Sequence, residues 1–275
     1  MAASSHSPKR VRNYRLEALI WPPLKIAPME IAREAPQNPL AAFELALREG
    51  AEGIALNVQL SSDGVPVVIC DAPLGRTTSS SGGVEERPAS TLLQLDTGSR
   101  VNRRFPSRTG RQYTRAHISL LSEVLQWVRE QKCLAYVTVN HPTPRAEVEI
   151  IKAIDRARVR HLTRVIACDL AGLRRIRQLD AKVHLGLRFV GRPPAIHHVK
   201  ALEAEVLLPH WTAGSPSFIR RAHRASLLVI PWTVNSPRQM RRTILEGVDG
   251  IITNYPAKLA EAVVRLQKTL HAVAP

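Results

Sequence analysis

No apolar run in this chain approaches the ~18 to 20 residues that a bilayer-spanning helix needs, so no transmembrane segment is expected. Cysteine is nearly absent. Cys70, Cys133 and Cys168 are odd in number, far apart and never spaced C-x-x-C, which excludes a disulfide framework and a cysteine zinc site. They read as reduced core thiols in a reducing compartment. Acidic residues are also short, 23 against 39 Lys plus Arg, leaving a net charge of +16. Such an excess speaks of partners and solubility rather than fold. Missing as well is any short Lys/Arg block interleaved with aromatics, which argues against a sequence-specific nucleic-acid module. Internal repeats and low-complexity tracts are lacking too.

What is present is the material of one large α/β domain: 275 residues, 44% of them hydrophobic. Short β-rich runs are predicted at 24–27, 54–58, 65–69, 135–139, 164–167, 182–187, 205–208, 227–231 and 250–252. Amphipathic helical stretches are predicted at 38–49, 120–131, 145–157, 170–178, 215–225, 237–246 and 257–270. Ser61-Ser62-Asp63-Gly64 reads as a turn with Asp-Gly at its centre. About eight βα units within ~250 residues match the rhythm of a TIM barrel. Residues 72–116 break the rhythm, being rich in Ser, Thr, Gly and Arg, and read as an irregular insertion after the second strand region. Residues 1–22 read as a basic N-terminal arm before a single barrel domain at 23–275. Met1 to Arg15 lacks any acid and holds Lys9, Arg10, Arg12 and Arg15, a weak likeness to a mitochondrial transit peptide. The expected location is intracellular, on the mitochondrial matrix side or in the cytoplasm.

Several segments carry a resemblance. They are Ala42-Phe43, Gly50-Ala51-Glu52-Gly53-Ile54, Asp63-Gly64-Val65-Pro66-Val67-Val68, Arg76-Thr77-Thr78 and Ile118-Ser119-Leu120-Leu121. Near the C-terminus stand Trp232-Thr233-Val234-Asn235 and Gly247-Val248-Asp249-Gly250-Ile251-Ile252-Thr253-Asn254-Tyr255-Pro256. In order and spacing they resemble the glycerophosphodiester phosphodiesterase family over nearly the whole chain. The resemblance implies an α/β TIM (β/α)8 barrel of the PLC-like phosphodiesterase type. It also implies hydrolysis of glycerophosphodiesters to glycerol 3-phosphate and an alcohol, with a divalent cation (Mg or Ca) and two histidines.

Carried over residue by residue, the resemblance leaves the catalytic positions empty. The family's His-Arg-Gly falls on Pro28-Met29-Glu30, and its Glu-Asn-Thr on Gln37-Asn38-Pro39. Its Glu-x-Asp falls on Ala55-Leu56-Asn57, its His-Asp on Cys70-Asp71, and its Glu-x-Lys on Thr138-Val139-Asn140. Of the implied set only Asp71 is retained. A hard dication on mostly neutral oxygens binds weakly, and groups that act as a unit fail as a unit. The expectation is therefore no metal, no cofactor and no catalytic residue. The chain would be a catalytically inactive barrel serving as a structural or binding subunit of a larger assembly. The alternative is an active phosphodiester hydrolase on glycerophosphodiesters with a rewired site.

The remaining candidates follow from position. His141, His210, Trp211 and Trp232 stand after expected strands, where barrel sites are built. They read either as a relocated pocket or as loop residues that cap strand ends. Cys70 reads as a core thiol or, less simply, a nucleophile. Arg100, Arg103, Arg104, Arg108, Arg111 and Arg115 cluster in the insertion without an acid between them, and Arg220, Arg221 and Arg224 form a second cluster. These basic groups suit an anionic macromolecule: acidic protein subunits, RNA or anionic lipid.

Overall fold

Runs rich in Val, Ile and Leu form the staves of a barrel in the computed structural model, which describes residues 22–29, 39–69, 74, 81–95, 117–139 and 143–271. Gln37, Cys70, Asp71, Asn140, His141, the insertion arginines from Arg100 to Arg115 and arm residues 1–21 lie outside the described residues. In chain order the elements begin with β1 (Leu24–Pro28), α1 (Pro39–Arg48), β2 (Gly53–Leu60), β3 (Pro66–Val68), α2 (Ala89–Leu92) and β4 (Ser119–Leu120). Then come α3 (Leu121–Gln131), β5 (Leu134–Val139), α4 (Pro144–Ala157), β6 (Thr163–Ala167), α5 (Leu170–Leu179) and β7 (Leu185–Phe189). The chain continues through α6 (Ile196–Ala201), β8 (Val206–Pro209), α7 (Pro216–Arg224), β9 (Leu228–Val229), α8 (Pro237–Leu245), β10 (Gly250–Ile252) and α9 (Pro256–His271).

The parallel staves run β10-β1-β2-β5-β6-β7-β8-β9. The ends meet: Asp249 N donates to Val229 O and Ile252 N to Pro231 O, each at 3.0 Å. This is the expected (β/α)8 barrel. Alternation divides the stave residues between two cores. Ile26, Tyr136, Ile166, Val206, Leu208, Ile230 and Ile252 fill the barrel interior. Their outward neighbours, such as Val137, Val165 and Leu207, pack under the helices. Gly186 lies where the interior is narrowest, because a Cβ there would meet Val206 Cγ1 at 2.5 Å and Ile166 Cδ1 at 2.6 Å.

Helices start where the sequence supplies caps. Thr143 Oγ1 accepts from Ala146 N ahead of α4, Ser215 Oγ from Phe218 N ahead of α7, and Ser236 Oγ from Gln239 N ahead of α8. In each of these three, proline follows the cap inside the first turn. The apolar stripe of α4, Ala146, Ile150, Ile151 and Ile154, is buried against the barrel.

One strand boundary needs correction. β7 spans 185–189 rather than 182–187, because the N–H groups of Lys182 and Val183 donate to Asp180 Oδ1 and hold the chain in a turn. Within the expected insertion, the described residues include one helical turn, α2. On either side of it, β3 pairs antiparallel with stave β2 and with β4. Leu74, Val84 and Leu92, with Val67, Ile69 and Ile118, form a small second core there. Polar composition around a few well-spaced apolar residues hid that core.

Candidate active site

The C-terminal ends of the staves present one inward side chain each, above the apolar interior layer. On β2, Ala55 packs against that layer and Asn57, two residues on, sits above it, 7% exposed. On β5, Thr138 stands two residues beyond interior Tyr136 and pairs in register with Asn57. Trp232 roofs the layer, its Nε1 donating to Leu208 O at 2.8 Å. His210 is bridged to Trp232 in parallel register, with ring centroids 5.4 Å apart. Its Nδ1 lies 2.7 Å from Thr212 Oγ1.

Arg188 joins these groups. Its guanidinium lies 3.7 Å from the centre of the Trp232 ring, a cation–π stack. Its Nη1 donates to Asn57 Oδ1 at 3.3 Å. A delocalised cation is thus fixed across the mouth by an aromatic face on one side and a neutral amide on the other. Nearby Cys168, expected in the core, is instead exposed because it follows the end of β6 at the mouth. Its thiol pKa is raised by partial burial, opposed by the Arg188 charge. Below, burial pushes the Tyr136 hydroxyl up to about 12.

Pro28, two residues beyond interior Ile26 and in register with Ala55, is buried at the mouth end of β1. Other expected site residues fall elsewhere: Met29 belongs to the core between barrel and helices. Trp211 is partly exposed beside His210, centroids 5.8 Å apart. Arg220, Arg221 and Arg224 are exposed on α7, outside the barrel. The C-terminal motif residues tie two mouth loops together: Asn235 Oδ1 accepts from Thr253 Oγ1 at 3.3 Å and Asn254 N at 2.9 Å.

Arg188 was missed in the sequence because the seventh strand was expected to end at 187. Its signal was a lone charge two residues after Gly186 in an apolar run. Gln59 is a second missed residue, 3% exposed on β2, with no partner for its Nε2 among the described residues.

Among the described residues, no group of three His, Cys, Asp or Glu converges. The amide at Asn57, where the resemblance puts a metal carboxylate, already faces a guanidinium.

Comparison with known proteins agrees with the architecture. Residues 31–258 match the model of the glycerophosphoryl diester phosphodiesterase family. A glycerophosphodiester phosphodiesterase of Caldanaerobacter subterraneus subsp. tengcongensis is 29% identical over 244 residues, covering 87% of this chain and 97% of that protein. One from Bacillus subtilis is 26% identical and covers 80% of each chain. The crystal structure of a putative glycerophosphoryl diester phosphodiesterase from Silicibacter pomeroyi superposes with a TM-score of 0.80. It shares 22% identity and covers 92% of this chain and 98% of its own. An Oleispira antarctica phosphodiesterase, solved with the product sn-glycerol-3-phosphate, gives 0.77 at 22% identity, covering 88% of this chain and 97% of its own.

These relatives correct the expectation of an inactive, structural barrel that is not an enzyme. Proteins named for the hydrolytic activity match the chain over most of its length. Arg188 stands at none of the catalytic positions that the resemblance implies. With a matching family model over 31–258 and relatives aligned nearly end to end, the chain belongs to the glycerophosphoryl diester phosphodiesterase family.

Proposed function

We propose that this chain is a phosphoric diester hydrolase that cleaves glycerophosphodiesters to glycerol 3-phosphate and an alcohol, through a rewired barrel mouth. The observation that carries the chemistry is the Arg188 guanidinium, stacked on Trp232 and bonded to Asn57. A planar guanidinium offers two parallel N–H groups to phosphate oxygens, and its charge counts for more beside a low-dielectric wall than in water. In this reading it neutralises the phosphodiester in place of a cation. Trp232 holds the guanidinium flat and walls the glycerol moiety.

His210 is the proton-transfer group. Its imidazole accepts a proton from water as the new O–P bond forms. It returns that proton to the alcohol oxygen as the opposite P–O bond breaks. Thr212 at Nδ1 orients the ring for this exchange.

The test is release of glycerol 3-phosphate from glycerophosphocholine by the purified protein, with and without EDTA. Turnover should persist in EDTA, and Arg188→Gln should lower kcat/KM by about 10²–10³. His210→Gln should cost about 10²–10⁴. No release with EDTA, Mg²⁺ or Ca²⁺ sinks the hydrolase reading. Turnover that EDTA abolishes sinks the exchange of cation for guanidinium.

A further inference from the structure

Arg221 and Arg224 are exposed on α7 three residues apart, and so share one face. The loop after β7 brings Arg192, Pro193, Pro194 and Ala195 against that face, followed by Ile196 and His197 of α6. Together they enclose a cleft of about 550 Å³, a size typical of small-molecule sites. Its lining residues include guanidinium and imidazole groups and no carboxylate. None of Arg192, Arg221 and Arg224 makes an ion pair with a described residue, whereas Arg160, Arg175 and Arg242 each meet a carboxylate at 2.6–2.9 Å.

Like charges three residues apart on a helix repel, and a third guanidinium across the cleft adds to that repulsion. An anion seated between them converts the repulsion into binding. The prolines offer no backbone N–H, and the charged donors of the cleft are side chains. Several planar donor forks around one small space suit a tetrahedral oxyanion, which accepts along many directions. The cleft shares no lining residue with the barrel mouth.

We propose that this cleft binds a phosphate group, free or carried on a lipid headgroup, independently of the catalytic mouth. Calorimetric titration of inorganic phosphate at low salt, into the intact chain and its Arg188→Gln variant, tests it. Sedimentation with phosphatidylglycerol vesicles, against phosphatidylcholine vesicles, tests the lipid source. Saturable phosphate binding that survives Arg188→Gln and weakens at least about tenfold in R221Q/R224Q supports a site for free phosphate. Vesicle binding that needs phosphatidylglycerol and is lost in R221Q/R224Q supports the headgroup. The control is Arg48→Gln, an exposed arginine on α1 paired with Glu44 at 3.7 Å, which should change neither. Equal weakening by Arg48→Gln would reduce the effect to net charge and overturn the site. So would binding lost only with Arg188→Gln, or no binding to either probe. The substituted arginines are exposed, and a matching circular dichroism melt checks the fold of R221Q/R224Q.

Discussion

Cys133 and Cys168 carry the same thiol in opposite surroundings. Cys133 is buried between barrel and helices, and burial pushes its pKa up to about 11. Cys168 is exposed at the mouth, raised by partial burial and drawn back by Arg188. Only the thiolate reacts, so iodoacetamide at pH 8 should label Cys168 while Cys133 stays protected until the chain unfolds. Peptide mass mapping over time reads both rates. Labelling of Cys133 as fast as Cys168 would show that the core around it opens readily. The same pair shows what the sequence conveyed at this scale. A buried thiol at Cys133 follows from its place just before the apolar run Leu134–Val139. That Cys168 faces a guanidinium depends on the register of two staves. His210 and Trp232 were legible as mouth residues because they follow apolar runs, whereas Arg188 was hidden by a strand end misjudged by two residues.

That misjudged strand has its cause in an element boundary. Burial alone would raise the Asp180 carboxyl. The Arg160 guanidinium at 2.6 Å and the N–H groups of Lys182 and Val183 outweigh it, and the net shift is downward. A depressed folded pKa stabilises the protein above the unfolded value of about 3.9, and that contribution fades as pH falls through the folded value. Asp180→Asn should therefore cost about 1–2 kcal/mol near neutrality, as expected for hydrogen bonds to a charged group. Below about pH 4 its penalty should shrink. Urea titrations at pH 7 and pH 3 measure both. A penalty that grows in acid would reverse the assigned sign. Helix starts were legible because Thr143, Ser215 and Ser236 announce themselves followed by proline. The Asp180 turn was not, since Lys182 and Val183 look like the opening of a strand.

At the scale of the whole molecule, order and spacing of the motifs conveyed a barrel, and the emptied ligand positions suggested inertness. The first inference holds because a barrel depends on many dispersed apolar positions. The second is overturned by relatives named for the activity, and the groups that meet at the mouth were not legible: Arg188 on β7, Asn57 on β2 and Trp232 beyond the end of β9 come together only in the closed barrel. Closure itself rests on a narrow seam. Between β9 and β10, Asp249 N donates to Val229 O, and Asp249 Oδ2 accepts from Val229 N at 2.8 Å and lies 2.7 Å from His223 Nε2. One carboxylate, 13% exposed, thereby joins the last two staves and α7. Asp249→Ala strands the Val229 N–H at the seam and should cost about 2–4 kcal/mol. In a chain of this size that lowers Tm by about 3–7 °C. Asp249→Asn keeps an acceptor oxygen and should lose roughly half as much. Differential scanning calorimetry of both variants decides it. A shift under about 1 °C for Asp249→Ala would mean that side-chain packing, not the carboxylate, closes the barrel. A large shift with an unchanged single transition would mean that the staves part together, so that the mouth carrying Arg188 exists only while the seam is shut.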